Sequence, residues 1–276
     1  MPIDDGNFIL TEEEKNELIK KEPQAEKFIK VYLGSKEFIN RKKRYCIWLK
    51  DIPYTEIKKC PIIINRIEKI KIFRLKSTAK PTVLSAERPH LFYFISHPDS
   101  NYLIIPKTSS EKRKYIPIDF MDKDTISSDL NMIIPNANLY HFGILTSTIH
   151  MVWTRYVCGR LKSDYRYTAS VVYNNFPFPD PTEKQKAEIE KYAQQVLDAR
   201  NEYPDSTFAD MYGETSMAFY PKLVKAHNSL DKAVETAYGK NFITDADRVT
   251  HLFNLYQKLT EGLFAEKPRK KRKNNG

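Results

Sequence analysis

The sequence predicts an α+β protein, in which mixed or antiparallel strands accompany a long buried helix and are followed by a small all-helical domain. Three observations support this fold class. Residues 44–138 hold short segments rich in Ile, Tyr, Phe and Val, residues 139–161 are a proline-free run with apolar side chains at helical spacing, and the residues after 182 have helical patterning. With 276 residues and 41% hydrophobic content, the chain can bury a full core.

The first half of the chain begins with helices and continues with strands. Thr11 followed by Glu14 is a capping box and predicts a helix over 10–21, and a second short helix is expected over 25–33. Beyond residue 44, apolar segments separated by Pro, Asp-Ser and Ser-Ser predict strands. The candidates are Tyr45–Leu49, Leu91–Ser96, Tyr102–Pro106, Tyr115–Phe120 and Met132–Ile134.

A single long helix is expected over 139–161, because apolar side chains recur there at helical spacing and Gly159 lies near the stop. Strand-like chemistry returns over 162–173, and three prolines between 177 and 181 then end the segment, since proline continues neither a helix nor a central strand. We therefore predict one domain at 1–179, a helical domain at 180–265 and a basic, disordered tail at 266–276.

The helical domain is predicted from three amphipathic segments. The first spans residues 182–201, the second is lined by apolar residues from Leu223 to Ala237 and ends at Gly239, and the third follows Thr244. Helices with one apolar stripe bury that stripe against one another. A small antiparallel helical domain follows from this pattern.

The charge balance favours a polyanionic partner. Forty-five Lys and Arg against 35 Asp and Glu give a formal net charge of +10, of which the tail at 266–276 supplies half. Two interpretations of the tail are open: it attracts nucleic-acid phosphates without sequence preference, or it is a solubilising terminus.

The cellular compartment is expected to be the cytoplasm of a prokaryote. Cys46, Cys60 and Cys158 have neither disulfide nor zinc-site spacing and are interpreted as packing residues. No apolar run approaches the roughly 20 residues that span a bilayer, and the N-terminus lacks a secretory pattern. We expect no membrane partner.

Catalytic motifs are not evident in this chain. An adenine methyltransferase needs an Asn/Asp-Pro-Pro-Tyr/Phe loop, and Asn175-Phe176-Pro177-Phe178 lacks the first proline. No glycine-rich turn fits a cofactor, Pro98-Asp99 with Glu111-Lys112-Arg113 departs from a magnesium nuclease motif, and the six histidines lack metal-ligand spacing. The chain alone is therefore predicted to be inert and to hold no cofactor or metal.

The segment Lys162–Thr168 carries the most informative polar pattern. Strand alternation would place Lys162, Asp164, Arg166 and Thr168 on one face, with Tyr165 and Tyr167 pointing into the body. Lys and Arg donate to guanine O6 and N7, and Asp accepts from cytosine N4. The alternative is a solvated row of salt bridges on an edge strand.

Longer motifs resemble the MmeI-like family of type IIL restriction-modification enzymes. They are Gly143-Ile144-Leu145-Thr146-Ser147, His150-Met151, the run from Arg155 to Tyr167, and Tyr173-Asn174-Asn175-Phe176-Pro177-Phe178-Pro179. The resemblance covers essentially the whole chain. In that family, one polypeptide contains, in order, a nuclease, a helical spacer, an adenine methyltransferase, a target recognition domain and a C-terminal helical domain. The resemblance implies that this chain corresponds to the last two.

The resemblance implies the function of a sequence-specific recognition module for double-stranded DNA. Adenine-N6 methylation with S-adenosylmethionine, and any magnesium-dependent cleavage, would belong to a catalytic part in cis or in trans. Whether the parent is a fused enzyme, a methyltransferase alone or a separate specificity subunit stays open. The rival functions are an enzyme with an unrecognised site and a protein-docking module.

The resemblance also implies roles for individual residues. Lys162 and Asp164 fall at positions that select the base pair beside the methylated adenine and suggest G·C, while Arg166 and Leu130 bear on a neighbouring position. From the residues themselves, a polar and basic turn between two strands is a candidate for phosphate binding, and its alternative is a mobile hairpin tip. Its members are Ser109, Ser110, Lys112, Arg113 and Lys114.

Overall fold

The computed structural model describes the backbone of residues 1–264 and the side chains of residues 1–261. The predicted basic tail at 266–276 lies outside the described residues. The strands are β1 Ile9–Leu10, β2 Ile29–Leu33, β3 Tyr45–Ile47, β4 Tyr102–Pro106, β5 Thr108–Ser109, β6 Asp119–Met121, β7 Thr125–Ser127, β8 Asn131–Pro135, β9 Gly159–Leu161 and β10 Asp164–Arg166.

Helices make up much of the remainder. They are α1 Glu12–Lys21, α2 Ser35–Ile39, α3 Tyr54–Ile57, α4 Pro61–Leu75, α5 Lys80–Leu84, α6 Leu139–Leu145, α7 Thr148–Val157, α8 Glu183–Asn201, α9 Phe208–Met211, α10 Pro221–Ala237 and α11 Asp245–Phe264. Among residues 1–264, no helix is both long and apolar enough to cross a membrane.

The strands form three small sheets with the orders β1-β3-β2-β7, β5-β10-β9 and β6-β4-β8. Every pairing is antiparallel except that of β2 with β7, which is parallel. The expected α+β class with mixed strands and a helical C-terminal part is confirmed.

Two hydrophobic cores hold these elements. One packs the first sheet against α1 and α4. The other packs the β6-β4-β8 sheet and α6–α7 against α8 and α10, so a single core crosses the boundary predicted at residue 179. The C-terminal helices thus support the strands that precede them.

The predicted long helix over 139–161 is wrong, because the chain forms α6 and α7 with a break at Thr146–Ser147. The buried hydroxyl of Ser147 donates to the carbonyl of Ile144 at 2.7 Å and accepts from the His150 amide, capping α7. The Asp231 carboxylate accepts from the Thr148 amide at 2.7 Å. These bonds satisfy the backbone groups that the break exposes.

Among the other predictions for the first half of the chain, some are confirmed and others are wrong. The helix beginning after Thr11 and the strand Tyr102–Pro106 are confirmed, whereas residues 25–33 form a 3₁₀ turn followed by β2. No strand forms over 91–96, and α4 was not predicted. Pro61 at the first position of α4 fits a helix start, but apolar residues on all its sides hid the helical period.

Candidate nucleic-acid interface

The segment singled out in the sequence forms a β-hairpin. Its strands β9 and β10 pair in antiparallel register, and Lys162 and Ser163 make the connecting turn. Lys162 has a left-handed backbone with φ of +56°. The predicted strand position of Lys162 is therefore wrong: it projects from the hairpin tip, whereas Asp164 and Arg166 lie on β10.

The two tyrosines of this segment are buried, as predicted. The hydroxyl of Tyr167 lies 2.9 Å from Nε2 of His150 on α7, and the Tyr165 hydroxyl donates to the Glu111 carbonyl at 3.3 Å. Burial lowers the pKa of His150 to about 3, so its ring is neutral. Anchoring of both neighbours leaves Arg166 exposed to solvent.

The polar side chains of the hairpin are not tied to one another. Within the described part of the chain, no ion pair within 4.0 Å involves Lys162, Asp164 or Arg166. The salt-bridge row considered as an alternative is thus not formed. Burial lowers the pKa of the Arg113 guanidinium, an effect that the nearby negative charge of Asp164 opposes.

A second loop, residues 127–131, is held next to the hairpin strand. The Leu130 carbonyl accepts from the Ser35 hydroxyl and, at 3.0 Å, from the Lys107 amide. The buried Asn131 side chain donates to the Leu33 carbonyl at 2.9 Å. With its backbone hydrogen-bonded in this way, Leu130 is still 57% exposed.

Leu130 and Arg166, which lie 36 positions apart, line one groove of about 620 Å³. The groove is also lined by Lys107, Asp129, Thr168 and Asn174, among other residues. The sequence reasoning did not single out Lys107 or Asp129. The adjacency of Asp129 to Leu130 was one available signal, but the pairing of the Lys107 carbonyl with the Tyr167 amide at 2.8 Å requires the fold.

The proposed phosphate-binding turn begins at the end of β5. Ser109 is buried, and its hydroxyl lies 3.3 Å from the Arg113 guanidinium. The Lys112 ammonium lies 3.5 Å from a carboxylate oxygen of Glu214 in an exposed ion pair, and Lys114 is also exposed. Lys112 and Lys114 thus project outward, whereas Ser109 shapes the turn from inside.

No metal site is visible among the described residues, since no group of three His, Cys, Asp or Glu side chains is arranged to hold an ion. Cys46 and Cys60 are buried and Cys158 is partly buried, and all three are free thiols. The hairpin and the groove present hydrogen-bonding and charged side chains.

Comparison with known proteins assigns the family. The model of the MmeI target recognition domain matches residues 1–180, and that of the MmeI C-terminal domain matches residues 181–264. The chain belongs to the MmeI family. Its resemblance to that family, first seen in the motifs around the hairpin, is confirmed over both parts.

Two similar proteins are much longer than the region that they share with this chain. It is 42% identical over 263 residues to DNA methyltransferase A of Bacillus subtilis (strain 168), covering 95% of this chain and 30% of that protein. It matches the structure of the type IIL restriction-modification enzyme MmeI in complex with DNA with a TM-score of 0.91 and 48% identity, covering 94% of this chain and 35% of that one. The chain thus spans about a third of either relative.

Proposed function

We propose that this chain is the sequence-specific recognition module for double-stranded DNA in an adenine-N6 DNA methyltransferase of a restriction-modification system. The observation that carries the proposal is the exposed hairpin beside the groove that Leu130 and Arg166 line, in a fold that matches the DNA-bound MmeI enzyme at a TM-score of 0.91. Base edges are recognised by polar side chains held on a rigid scaffold.

In this proposal, Lys162 and Asp164 select a G·C pair beside the methylated adenine. The Lys162 ammonium donates to guanine, and the Asp164 carboxylate accepts from the cytosine amino group. Arg166 and Leu130 act on a neighbouring position through the groove that both line. The absence of ion pairs among the three charged residues, within the described residues, leaves their polar atoms available for bases.

Phosphate contacts would come from the turn that follows β5. Ser110, Lys112 and Lys114 offer a hydroxyl and two ammonium groups, while Ser109 and Arg113 shape the turn through their mutual contact. Such contacts fix the register of a protein on the duplex without selecting sequence. The tail at 266–276 would add phosphate attraction that weakens with salt.

We assign residues 1–179 to target recognition and residues 180–265 to a helical support, and we assign the chemistry to a catalytic part outside this chain, in cis or in trans. The described residues do not fit S-adenosylmethionine, since no glycine-rich turn follows a strand. That cofactor, and magnesium if a nuclease is present, would bind the catalytic part. A cytoplasmic, prokaryotic protein is expected.

Selection from randomised DNA duplexes at moderate salt tests this function. Wild type is compared with the double variant Lys162→Glu plus Asp164→Arg. A charge swap at an exposed pair distant in sequence, Lys222→Glu plus Glu202→Arg, is the matched control, because it also leaves the net charge unchanged. We expect the hairpin variant to change preference at one G·C position by roughly 5- to 150-fold.

The control swap should leave that preference unaltered. Equal, sequence-independent binding by wild type and the hairpin variant would contradict base recognition by the hairpin. Methylation or cleavage of DNA by the purified chain would contradict the assignment of chemistry to another part.

A further inference from the structure

One face of α10 presents polar and basic side chains that the proposed function does not use. They follow the i, i+3, i+4, i+7 spacing that places residues on one side of a helix: Lys225, Asn228, Ser229 and Lys232. Ser229 is partly buried and the other three are exposed, while the opposite side of α10 packs in the larger core. We call the space that these four residues line, with a volume of about 550 Å³, the α10 groove.

The two lysines of the α10 groove carry uncompensated charge. Among the residues that the structure describes, neither the Lys225 nor the Lys232 ammonium has a carboxylate oxygen within 4.0 Å. Glu235, three positions beyond Lys232, accepts from the Arg248 guanidinium at 2.8 Å. Both ammonium groups are therefore free to bind an external anion.

A second groove adjoins the α10 groove at Ala218 and Val224, which line both. We call it the turn groove. It has a volume of about 440 Å³, and its charged lining residues are Glu111, Lys112, Arg113, Lys114, Arg155 and Glu214. The two acids already form ion pairs, with Arg160 at 3.7 Å and with Lys112 at 3.5 Å. The joined grooves are thus lined by six cations and two acids, which makes this surface attractive to a polyanion.

The turn after β5 connects the β9–β10 hairpin to α10. On one side, the Tyr165 hydroxyl of β10 donates to the Glu111 carbonyl at 3.3 Å. On the other side, the hydroxyl of Tyr115, which follows the turn, donates at 2.7 Å to Asp231, the neighbour of Lys232. Hydrogen bonds therefore hold the hairpin, the turn and the α10 groove in one continuous arrangement.

We propose that the α10 groove binds the phosphate backbone of the duplex that flanks the recognised bases. This inference rests on the proposed function. The backbone passes from the turn after β5 through the turn groove onto α10. Lys, Ser and Asn side chains are ordinary partners of DNA phosphates, and such contacts fix register without selecting sequence. The C-terminal helices then bind DNA themselves, in addition to supporting the strands.

The spacing of the two lysines suits a row of phosphates. Seven residues of an α-helix span about 10 Å, whereas the phosphates of one strand advance by only about 3.4 Å along the duplex axis. Lys225 and Lys232 can therefore each meet a different phosphate. Asn228 and Ser229 lie between them and can donate hydrogen bonds to the same stretch of backbone.

A face of solvated lysines is the alternative, and α8 shows what such a face looks like. Lys184 and Lys191 are exposed and seven positions apart, as are Lys225 and Lys232, but Glu188 lies one turn from each of the α8 lysines. Opposite charges at this spacing compensate each other on a helix surface. No acidic residue lies within four positions of Lys225. The uncompensated face of α10 is thus the one that fits a polyanion.

Fluorescence anisotropy with the full chain tests the proposal. The probes are a labelled duplex that carries the sequence selected by wild type and a second duplex of unrelated sequence, each titrated at several salt concentrations. Wild type is compared with Lys225→Gln plus Lys232→Gln, the α10 variant. The control is Lys184→Gln plus Lys191→Gln, which removes the same charge at the same helical spacing.

The salt dependence of binding reports the number of phosphate contacts. Each contact contributes about 0.9 to the slope of log K against the logarithm of the salt concentration, so the slope of the α10 variant should be shallower by roughly 2. The control should keep the slope of wild type, because its lysines lie outside the grooves.

The position of the flank supplies an independent measurement. In two further duplexes, the selected sequence lies near one end, so that a long flank extends either to one side or to the other. Wild type should bind one of them roughly fivefold or more tightly than the other, because a single flank reaches α10. The α10 variant should lose most of this difference.

Equal salt slopes of wild type and the α10 variant, or an unchanged flank difference, would overturn the proposal and leave these lysines to solvent or to an acidic protein surface. Circular dichroism melts verify that both variants are folded. The α10 variant should keep the wild-type sequence preference on randomised duplexes, because phosphate contacts affect all sequences alike.

The failure of this inference can be told apart from the failure of the proposed function. An unchanged slope with an intact sequence preference contradicts only the inference. Binding by wild type without any preference contradicts the proposed function, and the slope on the unrelated duplex still decides whether the α10 groove binds phosphates. Wild type that binds no duplex would contradict both.

Discussion

At the residue scale, the fold keeps two histidines neutral in its core. Burial lowers the pKa of His150 to about 3 and that of His227 well below its ordinary value, with nearby Arg200 and Lys114 adding to the effect on His227. A histidine whose folded pKa is depressed contributes stability that is fully present above its unfolded pKa of about 6.5. This stability is lost as the pH falls below 6.5 toward the folded pKa.

We therefore expect the titration of His150 to lower the free energy of unfolding by about 2 kcal/mol between pH 7.5 and pH 5. His150→Gln keeps an acceptor for the Tyr167 hydroxyl but cannot take up the proton. In urea titrations at both pH values, this variant should lose about 2 kcal/mol less than wild type. An identical pH dependence in the two proteins would show that His150 is not kept neutral by the fold.

At the scale of elements, the contact between α6 and α8 depends on a glycine. A Cβ added at Gly143 would lie 2.7 Å from Cγ2 of Ile189 and 3.3 Å from Cβ of Ala193. A methyl group is thus overpacked here, which costs about 1–3 kcal/mol, while the gain in helix propensity is only about 0.5–1 kcal/mol. The packing cost outweighs the propensity gain.

Gly143→Ala should therefore lower the free energy of unfolding by about 1 kcal/mol or more. Gly159→Ala is the matched control, because its added Cβ would meet nothing nearer than the Arg166 Cβ at 3.9 Å. Thermal unfolding of both variants measures the difference. A Gly143→Ala protein as stable as wild type would mean that α6 and α8 can separate slightly without loss.

Elements were predictable where local chemistry decides them. The capping box at Thr11 and Glu14 and the continuous apolar strand Tyr102–Pro106 are short-range signals, and both are confirmed. The break between α6 and α7 depends on Asp231, 83 residues beyond Thr148, and no local pattern reports it. The turn at Lys162 was missed because strand alternation was extended across a hairpin.

The candidate site shows the same limit. Polar residues two positions apart in the sequence, such as Asp164 and Arg166, can be found by pattern. Their roles in base recognition stay predictions until binding is measured. That Lys107 and Asp129 share a groove with Arg166 follows only from the pairing of distant segments. Contacts between segments far apart in sequence depend on the whole fold, which is why the pattern could not supply them.

At the scale of the whole molecule, β10 is connected to the C-terminal helices through α7. Asp231 on α10 accepts hydrogen bonds from Thr148 at the start of α7 and from the Tyr115 hydroxyl, each at 2.7 Å. α7 also carries His150, which contacts Tyr167 next to Arg166. The helical part thereby supports the strand for which base contacts are proposed.

The same core makes the two parts interdependent. Arg200 of α8 donates to the Ile118 carbonyl and to the Tyr212 hydroxyl, each at 2.6 Å, and apolar side chains from both sides of residue 179 share one cluster. Cutting the chain there would expose that cluster and leave buried polar groups without partners, which destabilises each piece.

We therefore expect that residues 1–179 and 180–264, produced separately, do not unfold cooperatively and that both bind the dye ANS, whereas coexpression of the two pieces restores cooperative unfolding. Circular dichroism melts and ANS fluorescence measure this, with the intact chain as the reference. Cooperative melting of either piece alone would mean that the predicted domain boundary is also a folding boundary. The C-terminal helices would then be dispensable for shaping the β9–β10 hairpin, and sequence selection by 1–179 should equal that of the intact chain.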